Sequence, residues 1–187
     1  MTTATWVSQD TLAGTSVPGG TADAVVTSVG GANYGPYPAV GTIRRFFDTT
    51  GKYGAGEFIY LPGVASLAVG DVVTYLLSAG VAAATDATVT RWGGTAYSGQ
   101  PLAIAMTANT STTTFSWYQI EGAAVVNTSG TVAAGDVANY ASTATVKTAA
   151  VTGKQVIGMA AMSANGVPAT NQAVYNINRP AVQSTIT

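Results

Sequence analysis

The amino-acid sequence predicts an all-β protein, a β-sandwich or barrel made of two related β units and preceded by an extended N-terminal arm. Runs of β-branched and aromatic residues recur roughly every 8–12 residues from residue 57 onward, with turn formers between them. A short motif also occurs twice. Gly, Thr and β-branched residues interrupt the Ala-rich stretches that would otherwise favour a helix. The predicted organisation is an arm over residues 1–52 and a β-rich domain over residues 53–187.

The first 52 residues differ in character from the rest of the chain. Gly and Pro break this region every few residues and leave only short apolar runs. Its large apolar residues are Trp6, Tyr34, Tyr37, Phe46 and Phe47. A free tail would leave these side chains in water, so an extended arm with one or two short strands is favoured over a disordered tail.

Seven segments after residue 56 have the composition of β-strands. They lie within residues 57–64, 71–77, 100–108, 112–126, 144–151, 154–162 and 172–180. The strongest is 112–126, where alternation places Phe115 and Trp117 on one face and Tyr118 and Ile120 on the other. The Ala-rich stretch 79–87 is compatible with a helical turn.

An internal repeat connects these segments. "VGDVVTY" at 69–75 is similar to "AGDVANY" at 134–140, and the two aspartates lie 65 positions apart. "AMTAN" at 105–109 matches "AMSAN" at 161–165 with an offset of 56, and Tyr118 and Ile120 match Tyr175 and Ile177 with an offset of 57. The three landmarks keep their order, which predicts two similar β units.

The repeated motif is typical of a tight turn that leads into a strand. Its residues are Gly70, Asp71 and Tyr75 in the first copy and Gly135, Asp136 and Tyr140 in the second. Gly permits the positive φ of a tight turn, and the Asp carboxylate accepts hydrogen bonds from neighbouring backbone amides. We therefore interpret both aspartates as structural residues, although two converging carboxylates are an alternative.

The composition offers little for catalysis. The chain contains no Cys and no His, so thiol chemistry and the commonest general base are absent. Its eight acidic residues form no cluster of the kind that binds Ca²⁺. We expect a protein that is not an enzyme and has no cofactor, metal site or catalytic residue.

The charge balance excludes further partners. Charged residues make up 8% of the chain and the formal net charge is −1, whereas roughly 25% is usual in a soluble protein. Neither nucleic acid nor an anionic membrane surface would attract such a chain. No membrane helix or secretory leader is expected.

The densest group of charges and aromatic rings lies in the segment 41–60. Arg44, Arg45, Phe46 and Phe47 are consecutive within it. Arg and aromatic side chains are common anchors of protein interfaces, which favours a docking segment. An amphipathic first strand of the domain explains the same residues, and the two interpretations stay open.

One family shares the pattern of small residues over residues 65–180. "SLAVGDVVTYLLSAGVAAAT" and "GQPLAIAMTANTSTTTFSWYQIEGAAVV", followed by "VAAGDVANYASTATVKTAA" and "QVIGMAAMSA", resemble the capsid cement (decoration) proteins of tailed bacteriophages. Residues 1–60 fall outside the shared pattern.

The resemblance implies a non-enzymatic structural protein of the virion. Members of that family are β-rich, bind the outer surface of the capsid and bridge major capsid protein subunits, and many are trimers. It therefore implies a homo-oligomer, with a trimer favoured, that is made in the host cytoplasm and lies on the capsid surface. A tail-tube or head-fibre protein and a secreted β-domain adhesin are the alternatives.

Overall fold

The described strands form one strongly curled antiparallel sheet, a half-barrel. The computed structural model describes residues 6–8, 23–24, 38–77, 87–93, 99–109, 111–142, 145–147 and 155–183. Within these ranges there is no helix. The predicted all-β class is therefore confirmed.

Twelve strands are described. They are β1 (Trp6–Ser8), β2 (Asp23–Ala24), β3 (Ile43–Asp48), β4 (Ala55–Pro62), β5 (Val72–Leu77), β6 (Ala87–Arg91), β7 (Leu102–Ala105), β8 (Thr114–Asn127), β9 (Val137–Ser142), β10 (Thr145–Lys147), β11 (Gln155–Ala161) and β12 (Gln172–Val182). Each of the seven segments with strand composition overlaps one of them. Strand β6 was not predicted; it begins at Ala87, the last residue of the stretch 79–87 that is compatible with a helical turn.

Strand β8 lies at the centre of the sheet because it has neighbours on both edges. Its Tyr118 pairs with Ile59 of β4 on one side and with Ala105 of β7 on the other. From Glu121 to Asn127, β8 also pairs with β12. We call residues 55–121 the first half and residues 122–182 the second half, so that β8 belongs to both.

The two halves have the same strand pairing. In the first half the order is β6–β5–β7–β8–β4, and in the second half it is β10–β9–β11–β12–β8. The C-terminal part of β8 thus takes the place in the second half that β4 takes in the first. Pro62 of β4 pairs with Phe115 of β8. Asn127 lies 65 positions after Pro62, Gln172 lies 57 positions after Phe115, and these two residues also pair, so the register is the same in both halves.

The backbone hydrogen bonds around the repeated turn also recur. Gly70 N–H donates to Ala105 O at 2.9 Å, and Gly135 N–H donates to Ala161 O at 2.8 Å. In the opposite direction, the N–H groups of these two alanines donate to the carbonyls of Asp71 and Asp136, at 2.9 and 2.8 Å. Each Gly-Asp turn is therefore tied to the end of β7 or β11 in the same way.

Each half has a core, and the two cores use equivalent positions. Ile59, Leu61, Leu67, Val73, Ala103, Ala105, Tyr118 and Ile120 form the first core. Ala124, Val126, Val132, Ala138, Met159, Ala161, Tyr175 and Ile177 belong to the second core. Each residue of the second set is separated from its counterpart by 65, 56 or 57 positions.

The second core also buries the opposite face of the first half. Val72, Leu102 and Ile104 are on strands of the first half, yet they pack with the second core. Trp92, which follows β6, packs there as well and contacts Tyr140 edge to face at 5.0 Å between ring centroids. The strands of the first half thus contribute buried side chains to two different clusters, one on each face.

A third cluster of aromatic side chains joins β1 and β3 to the sheet. It consists of Trp6, Phe46, Phe58, Tyr60, Phe115 and Trp117. Phe46 contacts Phe58 at 5.4 Å and Trp117 at 5.0 Å, both edge to face. The predicted boundary at residue 52 therefore falls between the paired strands β3 and β4.

Glycine is required where β8 passes from one half to the other. Gly122 has a φ of +100°, and an added Cβ atom would lie 2.5 Å from the carbonyl oxygen of Ala55. This residue allows β4 and β12 to approach the same strand from its two edges. An L side chain would both strain the backbone and separate β4 from β8.

We expect Gly122→Ala to lower the free energy of unfolding by about 3 kcal/mol or more, because it combines positive φ with a backbone clash. Gly130→Ala is the matched control, since its φ is +92° and no atom lies within 4 Å of the added Cβ. That control should cost only about 1 kcal/mol. Urea unfolding measures both, and equal losses would contradict the clash.

Candidate functional site: turns and exposed sheet faces

The first Gly-Asp turn is buried and well satisfied. Gly70 has a φ of +85°, and Asp71 is only 3% exposed. The Asp71 carboxylate accepts hydrogen bonds from Ala68 N–H at 3.0 Å, from Arg91 Nη2 at 3.1 Å and from Asn127 Nδ2 at 2.9 Å. These donors come from three separate segments, so Asp71 holds the first half to the end of β8.

The second turn has the same backbone shape but fewer contacts. Gly135 has a φ of +90°, and Asp136 accepts a hydrogen bond from Ala133 N–H at 2.7 Å. Within the described residues, no side chain takes the place that Asn127 occupies beside Asp71. Both predicted turns are present, and among the described residues only the first is enclosed by other elements.

The tyrosines of the two motifs lie at the edges of the two cores. Tyr75 is half-buried against the first core, and burial raises its pKa although the positive charge of Arg179 opposes this. Tyr140 is half-buried against the second core and contacts Trp92. Both side chains therefore contribute to packing.

The two buried tyrosines of the repeat remain protonated at neutral pH. Burial raises the pKa of Tyr118 to about 12, and its hydroxyl donates to the carbonyl of Pro62 at 3.0 Å. Burial and the nearby negative charge of Asp136 raise the pKa of Tyr175 to about 12. Neither phenol can act as a general base near neutral pH.

The four consecutive residues on β3 point to two sides of the sheet. Phe46 is fully buried in the aromatic cluster, and Arg44 is partly buried. Arg45 is exposed, and so are Ile43 and Phe47, which are 43% and 38% exposed. We call Ile43, Arg45 and Phe47 the β3 face. The segment is thus an amphipathic strand that also presents a mixed apolar and basic surface.

The other proposed interface residues have different locations. Trp6 is 3% exposed and contacts Phe58 at 4.9 Å, so its side chain belongs to the aromatic cluster and not to the surface. The same holds for Phe46. Tyr34 and Tyr37 lie outside the described residues.

Asp48, at the end of β3, organises the turn into β4. Its carboxylate accepts hydrogen bonds from the Thr50 hydroxyl at 2.6 Å and from the backbone N–H groups of Lys52 and Tyr53, both at 3.1 Å. Burial opposes ionisation, but these donors outweigh it and lower the pKa of Asp48 below its ordinary 3.8. The carboxylate keeps the β3–β4 connection in one conformation.

The two repeated aspartates do not converge, whereas Glu57 and Glu121 are neighbours on the paired strands β4 and β8. No group of three or more metal-ligating acidic, His or Cys side chains is present among those residues. Asp71 and Asp136 bind different partners, and Glu57 forms an ion pair with Arg179. Among the described residues, no helix has the length and apolar character to cross a membrane.

An uncharged face of the second half is open to solvent. Val137 on β9, Ile157, Gly158 and Ala160 on β11, and Asn176 and Asn178 on β12 surround a depression of about 390 Å³. We call these six residues the amide face. Val137 pairs with Ala160, and Ala160 pairs with Asn176, so the face crosses three neighbouring strands. Val137 and Ile157 are 47% and 57% exposed.

Comparison with known proteins identifies no relative. No family model, no curated protein and no solved structure matches this chain. The resemblance to cement proteins therefore stays a prediction.

Sequence reasoning missed the residues that join the two halves. Arg91, Trp92 and Asn127 lie outside the repeated motif, and nothing in their immediate sequence marks them. The offset of 65 was a usable signal: applied to β4, it makes residues 122–127 equivalent to residues 57–62 and predicts that β8 serves both halves. The offsets between the two halves also identify the counterparts of the amide-face residues in the first half.

We expect Asp71→Asn to lower the free energy of unfolding by about 2–3 kcal/mol, since it neutralises a buried carboxylate that pairs with the partly exposed Arg91 and accepts two further hydrogen bonds. Asp136→Asn should cost about 1 kcal/mol or less, because this carboxylate is partly exposed and accepts one backbone hydrogen bond. Thermal and urea unfolding of both variants measure the difference. Equal costs would mean that the partners of Asp71 contribute nothing.

Asp48→Asn should make the free energy of unfolding less dependent on pH in the acidic range. Because the pKa of Asp48 is lowered on folding, its contribution is present above the unfolded value of 3.8 and is lost as the pH falls through the folded value. We expect the variant to be about 1–2 kcal/mol less stable at pH 6, with a difference that shrinks below pH ~4. A difference independent of pH, measured by urea unfolding from pH 2 to 7, would contradict this.

Proposed function

We propose that the protein is a non-enzymatic structural protein of a tailed-bacteriophage virion. In this proposal it binds the outer surface of the capsid and stabilises it by bridging major capsid protein subunits. It is made in the host cytoplasm, acts as a homo-oligomer and needs no cofactor, nucleic acid or membrane. The duplicated pattern of small residues over residues 65–180 supports the family.

The β3 face is the observation that carries the proposed contact with the shell. Ile43 and Phe47 are large apolar side chains that are 43% and 38% exposed, and Arg45 lies between them. Isolated apolar residues on a surface need no explanation, but an aromatic ring beside an arginine is a common interface anchor. A capsid subunit with an apolar depression and a nearby acidic group is the partner that this face fits.

The aromatic cluster beneath β3 makes this surface rigid. Phe46 points inward from the same strand and contacts Phe58 and Trp117. Backbone pairing of β3 with β4 continues from Ile43 to Phe47. A preformed surface loses little conformational entropy when it binds, which favours association without a large apolar area.

Repetition on a symmetric shell compensates for a small contact. Each protein would touch more than one capsid subunit, and a homo-oligomer would add further contacts at high effective concentration. A surface with few charges suits close packing against neighbours because few ions must be desolvated. We further infer that the two halves are related β units, and the extended N-terminal arm over residues 1–52 remains part of the proposal.

Binding to heads tests the proposal. We expect the purified protein to bind mature heads that lack it, taken from the virus that encodes it, and to raise the temperature at which they release DNA. Replacing Arg45 and Phe47 together with Ala should weaken binding at least about tenfold, since two anchors are lost. Density-gradient sedimentation with quantification of the bound protein measures both results.

Met162→Ala is the matched control, because Met162 is 56% exposed and lies outside the β3 face. It should bind heads as the unmodified protein does, and all variants should have similar melting temperatures. Heads that bind none of the unmodified protein would refute the capsid role. A virion density map that places the protein in the tail tube or head fibre would favour those alternatives.

A further inference from the structure

The amide face has a buried counterpart in the first half of the same protein. Val137, Ala160 and Asn176 form one row across β9, β11 and β12. With the three offsets applied, their counterparts are Val72, Ile104 and Gln119, which form the same row across β5, β7 and β8.

The two rows differ completely in exposure. Val72, Ile104 and Gln119 are each 0% exposed, whereas Val137, Ala160 and Asn176 are all exposed. In the first half this face is covered by the second core, which includes Val72 and Ile104. The face that the second core covers in the first half is thus exposed to solvent in the second half.

The chemistry of the amide face suits a second copy of itself. No residue that lines the depression carries a charge, so its packing against a second copy desolvates no ion; Glu121, which pairs with Asn178, lies at its edge. Asn176 and Asn178 supply both hydrogen-bond donors and acceptors, and Val137 and Ile157 supply apolar area. Because each Asn side chain can both donate and accept, the same residues of two copies can hydrogen-bond to one another across a two-fold axis.

Head-to-tail stacking of copies is disfavoured by the first half. The C-terminal part of β8 covers the first turn, where Asn127 N–H donates to Gly70 O at 2.8 Å and Asn127 Nδ2 donates to Val69 O at 2.9 Å. If copies stacked head to tail, β4 of the next copy would have to cover the second turn as β8 covers the first. At the position equivalent to Asn127, β4 has Pro62. Proline has no N–H to donate, and β4 is already paired with β3.

We propose that the amide face is a two-fold interface between two copies of this chain. Val137, Ile157, Ala160, Asn176 and Asn178 of one copy pack against the same residues of the other. A three-fold ring joins two different surfaces of each subunit, so this contact gives a dimer and departs from the trimer that the resemblance implies. The β3 face is not part of it, so the inference does not rest on capsid binding.

A charge pair at Ala160 tests the contact directly. Ala160 lies in the middle of the row and is exposed, so a charged side chain there leaves the fold intact. Ala160→Glu alone and Ala160→Lys alone should each weaken dimerisation at least about tenfold, because like charges face one another across the axis. A one-to-one mixture should restore the dimer. Analytical ultracentrifugation of the full chain over a concentration series measures all three, without heads.

Met162→Glu is the matched control, because it adds the same charge at an exposed site outside the amide face. It should dimerise like the unmodified protein. An unmodified protein that is monomeric throughout the series, or a trimer that survives both substitutions at Ala160, would overturn the proposal. Loss of head binding by Ala160→Glu with a monomeric unmodified protein would assign the face to the capsid instead.

Discussion

The pairing of β8 on both of its edges is the constraint on which the rest of the structure depends. Its N-terminal part completes the first half against β4 and β7, and its C-terminal part begins the second half against β12. One strand of 14 residues thus fixes the register of both halves of the single sheet. The passage between them requires Gly122, since any side chain there would meet the backbone of β4.

The shared strand also explains why equivalent residues have unequal roles. Because β8 continues into the second half, Asn127 reaches back to the first Gly-Asp turn and places its amide on Asp71. Among the described residues, no segment continues beyond β12 to cover the second turn as Asn127 covers the first. Asp136 is therefore partly exposed. The same asymmetry buries Ile104 and exposes Ala160. Whether a residue lies in the first or the second half, and not the local motif, therefore determines whether its side chain is buried.

Local patterns in the sequence predicted the strands and turns, because alternation and Gly-Asp spacing are local properties. The alternation of Phe115 and Trp117 against Tyr118 and Ile120 was correct, since the two pairs lie in different clusters. The difference between Asp71 and Asp136 could not be predicted, because the partner Asn127 lies 56 residues away and outside the motif. Burial of Trp6 and Phe46 likewise depends on tertiary contacts with Phe58. Function stays a proposal, since no site chemistry constrains it.

A stack of repeated β units always ends in a face that the next unit would have covered. Repeat proteins usually protect such ends with charged or strongly polar residues. The second half instead has smaller side chains than the first on this face. Ala160 and Gly158 are the counterparts of the buried Ile104 and Leu102. Asn176 is the counterpart of Gln119. These changes lower the apolar area but add no charge. Such a face can pack against a second copy without desolvating a charge, as the two-fold contact proposed above requires.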